Sequence, residues 1–104
     1  MKEAAFQQQV LEAARHLGWR TAHFRPAQNA RGQWRTPVAG DGKGFPDVVL
    51  VRERVIFAEL KTDKGHVRPE QRAWLDALDH AGTEVAVWRP RDWDDIITTL
   101  KEAP

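Results

Sequence analysis

Two short apolar runs, Val48-Val49-Leu50-Val51 and Val55-Ile56-Phe57-Ala58, are separated only by Arg52-Glu53-Arg54. β-branched runs of this length around a charged turn form a β-hairpin. Because they are apolar on both faces, the hairpin must lie centrally in a sheet with cover above and below. That requirement fixes the rest of the chain as the source of the covering layers. The hairpin spans Asp47–Arg52 and Val55–Lys61, so outside its charged turn it carries charge only at its open end: Asp47 opens it, and Glu59 and Lys61 close it.

The flanking segments meet the requirement. From Lys2 to Leu17, Phe6, Val10, Ala13, Ala14 and Leu17 recur at helical spacing, and Gly18 stands at the C-cap position. Trp19–Phe24 alternates as a short strand. Pro69 suits the first turn of a helix that runs to His80 and stops before Gly82. Trp74, Leu75 and Leu78 mark its apolar face. Glu84–Trp88 reads as a strand and Asp92–Lys101 as a last helix with Ile96, Ile97 and Leu100 inward. The order predicts an α/β fold with a three-layer core, a mixed sheet flanked by helices. A chain of 104 residues has room for one domain, over 1–104, and 41% apolar content suffices for its core. No apolar run approaches the roughly 20 residues that span a bilayer. The polar start at Met1-Lys2-Glu3 does not resemble a signal segment, so a cytoplasmic location is expected.

Arg25–Gly44 has the composition of a loop, with Pro26, Asn29, Gly32, Pro37, Gly40, Gly42 and Gly44. Loops this long inside compact domains are usually functional or disordered. Charge is also concentrated here. Arg15–Lys43 holds Arg15, Arg20, Arg25, Arg31, Arg35 and Lys43 against Asp41 alone, whereas Asp92–Pro104 holds four acids against Lys101. A basic stretch suits a polyanion, and Arg25, Arg31, Arg35 and Lys43 are its candidate DNA contacts; a solvated loop is the alternative. Trp34, between Arg31 and Arg35, either stacks on an unpaired base or anchors the loop.

Residues two apart on a strand share a face, so Glu59 and Lys61 project together on the side of Phe57. The hairpin brings Asp47 opposite them. Two carboxylates and an ammonium then share one end of the sheet. Hard oxygen ligands of this kind suit Mg²⁺ or Mn²⁺ together with a substrate phosphate, and a lysine beside them can act on the attacking water or on the phosphate charge. The competing reading is a salt bridge of Lys61 with Asp47 or Glu59. Glu3 falls on the apolar face of the first helix, either joining this site or standing in water at the helix start. Gln71 falls on the apolar face of the second, satisfied by backbone or reaching a polar site. Other chemistries are excluded or weak. The chain has no cysteine and no serine, its four histidines lack metal-ligand spacing, and Gly40, Gly42 and Gly44 lead into no P-loop.

Gly44-Phe45-Pro46-Asp47, Glu59-Leu60-Lys61, and Gly65 with Pro69-Glu70-Gln71 resemble the PD-(D/E)XK nucleases, and more narrowly the compact VRR-Nuc domains, many from bacteriophages. Glu3, Gly18-Trp19 and Val87-Trp88-Arg89-Pro90 extend the likeness over nearly the whole chain, with the basic segment 25–44 inserted before the hairpin. The resemblance implies a restriction-endonuclease-like fold and a metal-dependent endonuclease hydrolysing DNA phosphodiester bonds. It implies that Asp47, Glu59 and the Leu60 main-chain carbonyl bind Mg²⁺ or Mn²⁺, and that Lys61 acts on the water or transition state. It also implies that Gln71 supports the site and that Glu3 is the acid of the first helix. Small stand-alone relatives further imply a homodimer acting on branched DNA such as a four-way (Holliday) junction, in the host cytoplasm where the gene is a phage's. The rival class is a nuclease-fold module that binds nucleic acid without cutting; a plain protein-interaction module would leave Asp47, Glu59 and Lys61 unexplained.

Overall fold

The structure, a computed structural model, describes residues 1–24, 27–28, 30–32, 34–35 and 40–102, and of residues 27, 28, 34 and 35 the backbone alone. Helix α1 (Glu3–His16) leads into strand β1 (Arg20–His23), two short strands β2 (Ala27–Gln28) and β3 (Trp34–Arg35), and the hairpin β4 (Val48–Val51) and β5 (Val55–Leu60). Helix α2 (Pro69–His80), strand β6 (Glu84–Trp88), a 3₁₀ turn at Pro90–Asp92 and helix α3 (Trp93–Lys101) complete the chain. The main sheet has the order β1-β4-β5-β6, so the hairpin is central, as its two-sided apolarity requires. β1, β4 and β5 are antiparallel, and β6 is parallel to β5 through the α2 crossover. The sheet is therefore mixed.

One face of the sheet carries Val48, Leu50, Ile56, Ala58 and Leu60, all fully buried. Phe6, Val10, Leu11 and Ala14 of α1, with Ile96 and Leu100 of α3, complete this core. Burying a side chain of this size is worth about 1.5–3 kcal/mol, so this layer holds most of the apolar driving force. The opposite face carries Phe57 and Glu59, and α2 lies over it: Gln71 bonds Glu59, and Phe45 joins Phe57 to Trp74 edge-to-face, at centroid distances of 5.9 and 4.9 Å. Helices on both faces make the three layers.

Two departures from the sequence reading have physical causes. Within Arg25–Gly44, read as loop, β2 and β3 pair as a two-stranded antiparallel ribbon; runs of two residues leave no periodicity to detect. Arg52 and Arg54, read as a charged turn, are structural. Arg52 donates to the carbonyls of Leu17 (3.2 Å) and Leu100 (3.0 Å), and Arg54 to Thr99 (2.8 Å) and Glu102 (2.8 Å). They occupy carbonyls left open where α1 and α3 end, and both guanidinium groups lie over the Trp19 ring. No described helix is long and apolar enough to cross a membrane.

Candidate active site

The register of the central hairpin sets the site. Val48 faces Ala58, so one step outward Asp47 faces Glu59, with both side chains on the α2 side. Leu60 donates its N–H to Asp47 Oδ2 at 3.1 Å. One step further the register sets Pro46 against Leu60, and proline has no N–H to offer the Leu60 carbonyl. The Pro46-Asp47 pair thus fixes the acid and withholds the usual ladder donor from that carbonyl.

The segment that delivers Asp47 rests on α2. Gly44 has φ +87°, and a Cβ there would lie 2.6 Å from the Glu70 carbonyl carbon and oxygen, so only glycine fits. Trp74 Nε1 donates to the Asp41 carbonyl at 2.9 Å, and Phe45 wedges among Phe24, Phe57 and Trp74.

Glu59 is 1% exposed. Its Oε1 accepts from Gln71 Nε2 at 3.2 Å, while Oε2 is buried without a partner among the described residues. Gln71 Oε1 in turn accepts from the Arg68 N–H at 2.9 Å. The two alternatives for Gln71 are therefore both realised: one amide caps α2 and orients Glu59. Burial first, then the neighbouring Asp47 carboxyl, push the Glu59 carboxyl up to about 9 against an ordinary 4.5. Lys61, also buried, offsets part of this. No ion pair within 4.0 Å ties Lys61 to either acid among the described residues, so the salt-bridge alternative is not what this geometry shows.

A cavity of about 360 Å³ lies beside the buried Glu59, lined by Glu3, Gln7, Phe24, Asp47, Leu60, Lys61, Arg68 and Gln71. Glu3 is exposed at its mouth. Its carboxyl is raised by partial burial and then by Asp47, against the opposing pull of Lys61 and Arg68. It shares the cavity, but no three Asp, Glu or His side chains among the described residues stand close enough to hold a metal together. The site is a carboxylate pair with a third acid at its rim. The donor set fits a hard divalent cation: two carboxylates on one spot, a buried carboxylate oxygen with no described partner, and a main-chain carbonyl beside them.

Of the basic set, Lys43 is exposed on the segment leading to Asp47, and Arg31 is exposed. Arg25 and the side chains of Trp34 and Arg35 lie outside the described residues. Four neighbours of the site were not singled out by the sequence reading. Gln7, Arg68 and Phe24 line the cavity. Arg89 donates to the carbonyls of Thr62 and Gly65, both at 2.6 Å, and so pins the turn after Lys61. Arg89 entered the sequence reading only within the Val87–Pro90 likeness, and nothing local pointed to its partners.

The family model of the VRR-NUC domain matches residues 5–92. The chain belongs to the VRR-NUC family. The match runs from α1 through the 3₁₀ turn; Glu3 lies just before it and α3 just after. The VRR-NUC domain is a nuclease domain, and DNA is the substrate class it implies. Searches of curated proteins and of solved structures each returned no match.

Proposed function

We propose that this VRR-NUC chain is an Mg²⁺- or Mn²⁺-dependent endodeoxyribonuclease. The carrying observation is Asp47 beside a buried Glu59 whose Oε2 has no partner among the described residues, next to a cavity that Asp47 lines together with a Lys61 paired, among the described residues, with neither acid. Asp47, Glu59 and the Leu60 carbonyl would hold the cation. When bound, it supplies Lewis-acid polarisation of a phosphoryl oxygen. Gln71 holds Glu59 through its Oε1, and Asp47 is held by the Leu60 N–H. Lys61 places its ammonium against the scissile phosphate and stabilises the charge that develops there. Arg25, Arg31, Arg35 and Lys43 lay charge along the DNA backbone.

The test separates cutting from binding. Asp47→Ala and Lys61→Ala are expected to lose cleavage by orders of magnitude, and Lys61→Ala to keep its DNA affinity within a few fold. Equal loss of affinity and rate in Lys61→Ala makes the lysine a phosphate clamp. Full cleavage by Asp47→Ala ends the proposal by placing the chemistry elsewhere, and DNA binding by wild type with no cleavage in either metal favours the module that binds without cutting.

The resemblance to small stand-alone relatives supports a second part: a homodimer that cuts branched DNA, since symmetric cutting of two strands calls for a twofold pair of sites. Light scattering at micromolar concentration is expected to give twice 11.9 kDa. In competition, a four-way junction is expected to be cut in preference to linear duplex of equal length. A fully active monomer, or equal cleavage of both, contradicts this part.

A further inference from the structure

Phe24 is 45% exposed, and it is the aromatic side chain that lines the cavity. Its position is set by pairing. His23 faces Val48 across β1 and β4, so Phe24 faces Asp47, and the Phe24 N–H donates to the Asp47 carbonyl at 3.2 Å. Directly opposed residues on antiparallel strands have Cβ atoms roughly 4.5–5.5 Å apart. Phe24, Asp47 and Glu59 thus form one row across three strands, on the same face of the sheet. The ring is braced from below by Phe45, edge-to-face at 5.7 Å, and Phe45 is itself braced by Phe57 and Trp74. The result is a rigid aromatic face turned to solvent, one strand away from the acid that would hold the cation.

We propose that Phe24 is a stacking platform for an unpaired base next to the scissile phosphate, which makes DNA with an unstacked nucleotide the preferred substrate. The inference rests on the reading of the Asp47–Glu59 site as the cutting centre. A base inside a duplex has both faces covered by its neighbours. An extrahelical base has a free face, and stacking it on an aromatic side chain is sequence-tolerant. Arg68, in the same cavity, is placed to receive a flanking phosphate.

The experiment uses two duplexes of one sequence, one of them carrying a single extrahelical 2-aminopurine, whose fluorescence falls when it stacks. With Mg²⁺ or Mn²⁺ the wild-type chain is expected to cut the bulged substrate about tenfold better than the matched one, and Phe24→Ala to bring that ratio down about tenfold. Phe24→Trp keeps the ratio and Phe24→Leu loses it. In Ca²⁺, wild-type protein quenches the 2-aminopurine and Phe24→Ala does not. The proposal is overturned by equal cleavage of both substrates by wild type, by an undiminished ratio in Phe24→Ala or Phe24→Leu, or by absent quenching. If wild type cuts nothing with either metal, the nuclease reading fails, and quenching that depends on Phe24 still supports the platform.

Discussion

Glu59 is the residue in greatest conflict with its surroundings. Its carboxylate sits in a dry place beside Asp47, with one oxygen unpartnered among the described residues. A group whose folded-state pKa is raised stabilises the fold below its unfolded value and loses that contribution as pH rises to the folded one. Without metal, the protein should therefore lose stability as pH climbs from 4.5 toward about 9. Glu59→Gln keeps the shape and leaves no carboxyl that must hold a proton on folding. We expect it to raise the melting temperature in EDTA at pH 8 by roughly 4–8 °C, about 1 kcal/mol in a domain this size, while abolishing cleavage. Differential scanning calorimetry of both proteins checks this; an unchanged or lower melting temperature means the carboxylate is satisfied in the metal-free fold. At this scale the grouping of Asp47, Glu59 and Lys61 at one sheet end was legible in the sequence, because strand alternation and the hairpin register set them together. The orienting bond from Gln71 was legible only as an open choice. Phe24 and Arg89 were not legible, because their contacts join residues far apart in the chain.

At the level of elements, α2 and β6 fall at the bounds their local sequence predicts, Pro69–His80 and Glu84–Trp88. Proline in the first turn, glycine beyond the last and a β-branched run fix such ends without help from the rest of the fold. The β2–β3 ribbon and the arginine ties of the hairpin turn depend on tertiary partners, and no local pattern encodes them. The tie that matters most to the site joins the Gly44–Asp47 segment to α2. Gly44→Ala forces a Cβ to 2.6 Å from Glu70 backbone atoms, whereas Gly82, at φ +90°, has nothing within 4 Å of where a Cβ would go. Both substitutions incur the left-handed cost of about 1–2 kcal/mol. Only Gly44→Ala adds the clash, so it is expected to lower stability by at least about 1 kcal/mol more than Gly82→Ala and to depress cleavage by displacing Asp47. Urea denaturation and cleavage rates of the two variants side by side test this; equal effects contradict it.

For the whole molecule, a net charge of +1 conceals a division of labour. Arg52 and Arg54 serve the fold, and Asp92 caps the turn before α3 by accepting from the Arg89 N–H at 2.9 Å. The proposed DNA contacts are cations of the 25–44 segment and the cavity rim. Neutralising Arg25, Arg31, Arg35 and Lys43 together should flatten the salt dependence of DNA binding, by about 0.9 in log–log slope for each phosphate no longer neutralised; an unchanged slope returns the segment to solvent. The central claim is that two acids on one sheet end hold the cation on which cutting depends. Cleavage of supercoiled plasmid, followed while Mg²⁺ or Mn²⁺ is added back to EDTA-stripped protein, tests it most directly. The account predicts no cutting in EDTA, recovery on adding metal to wild type, and no recovery in Asp47→Ala or Glu59→Ala; undiminished cutting in excess EDTA, or metal-restored cutting by either variant, would contradict it.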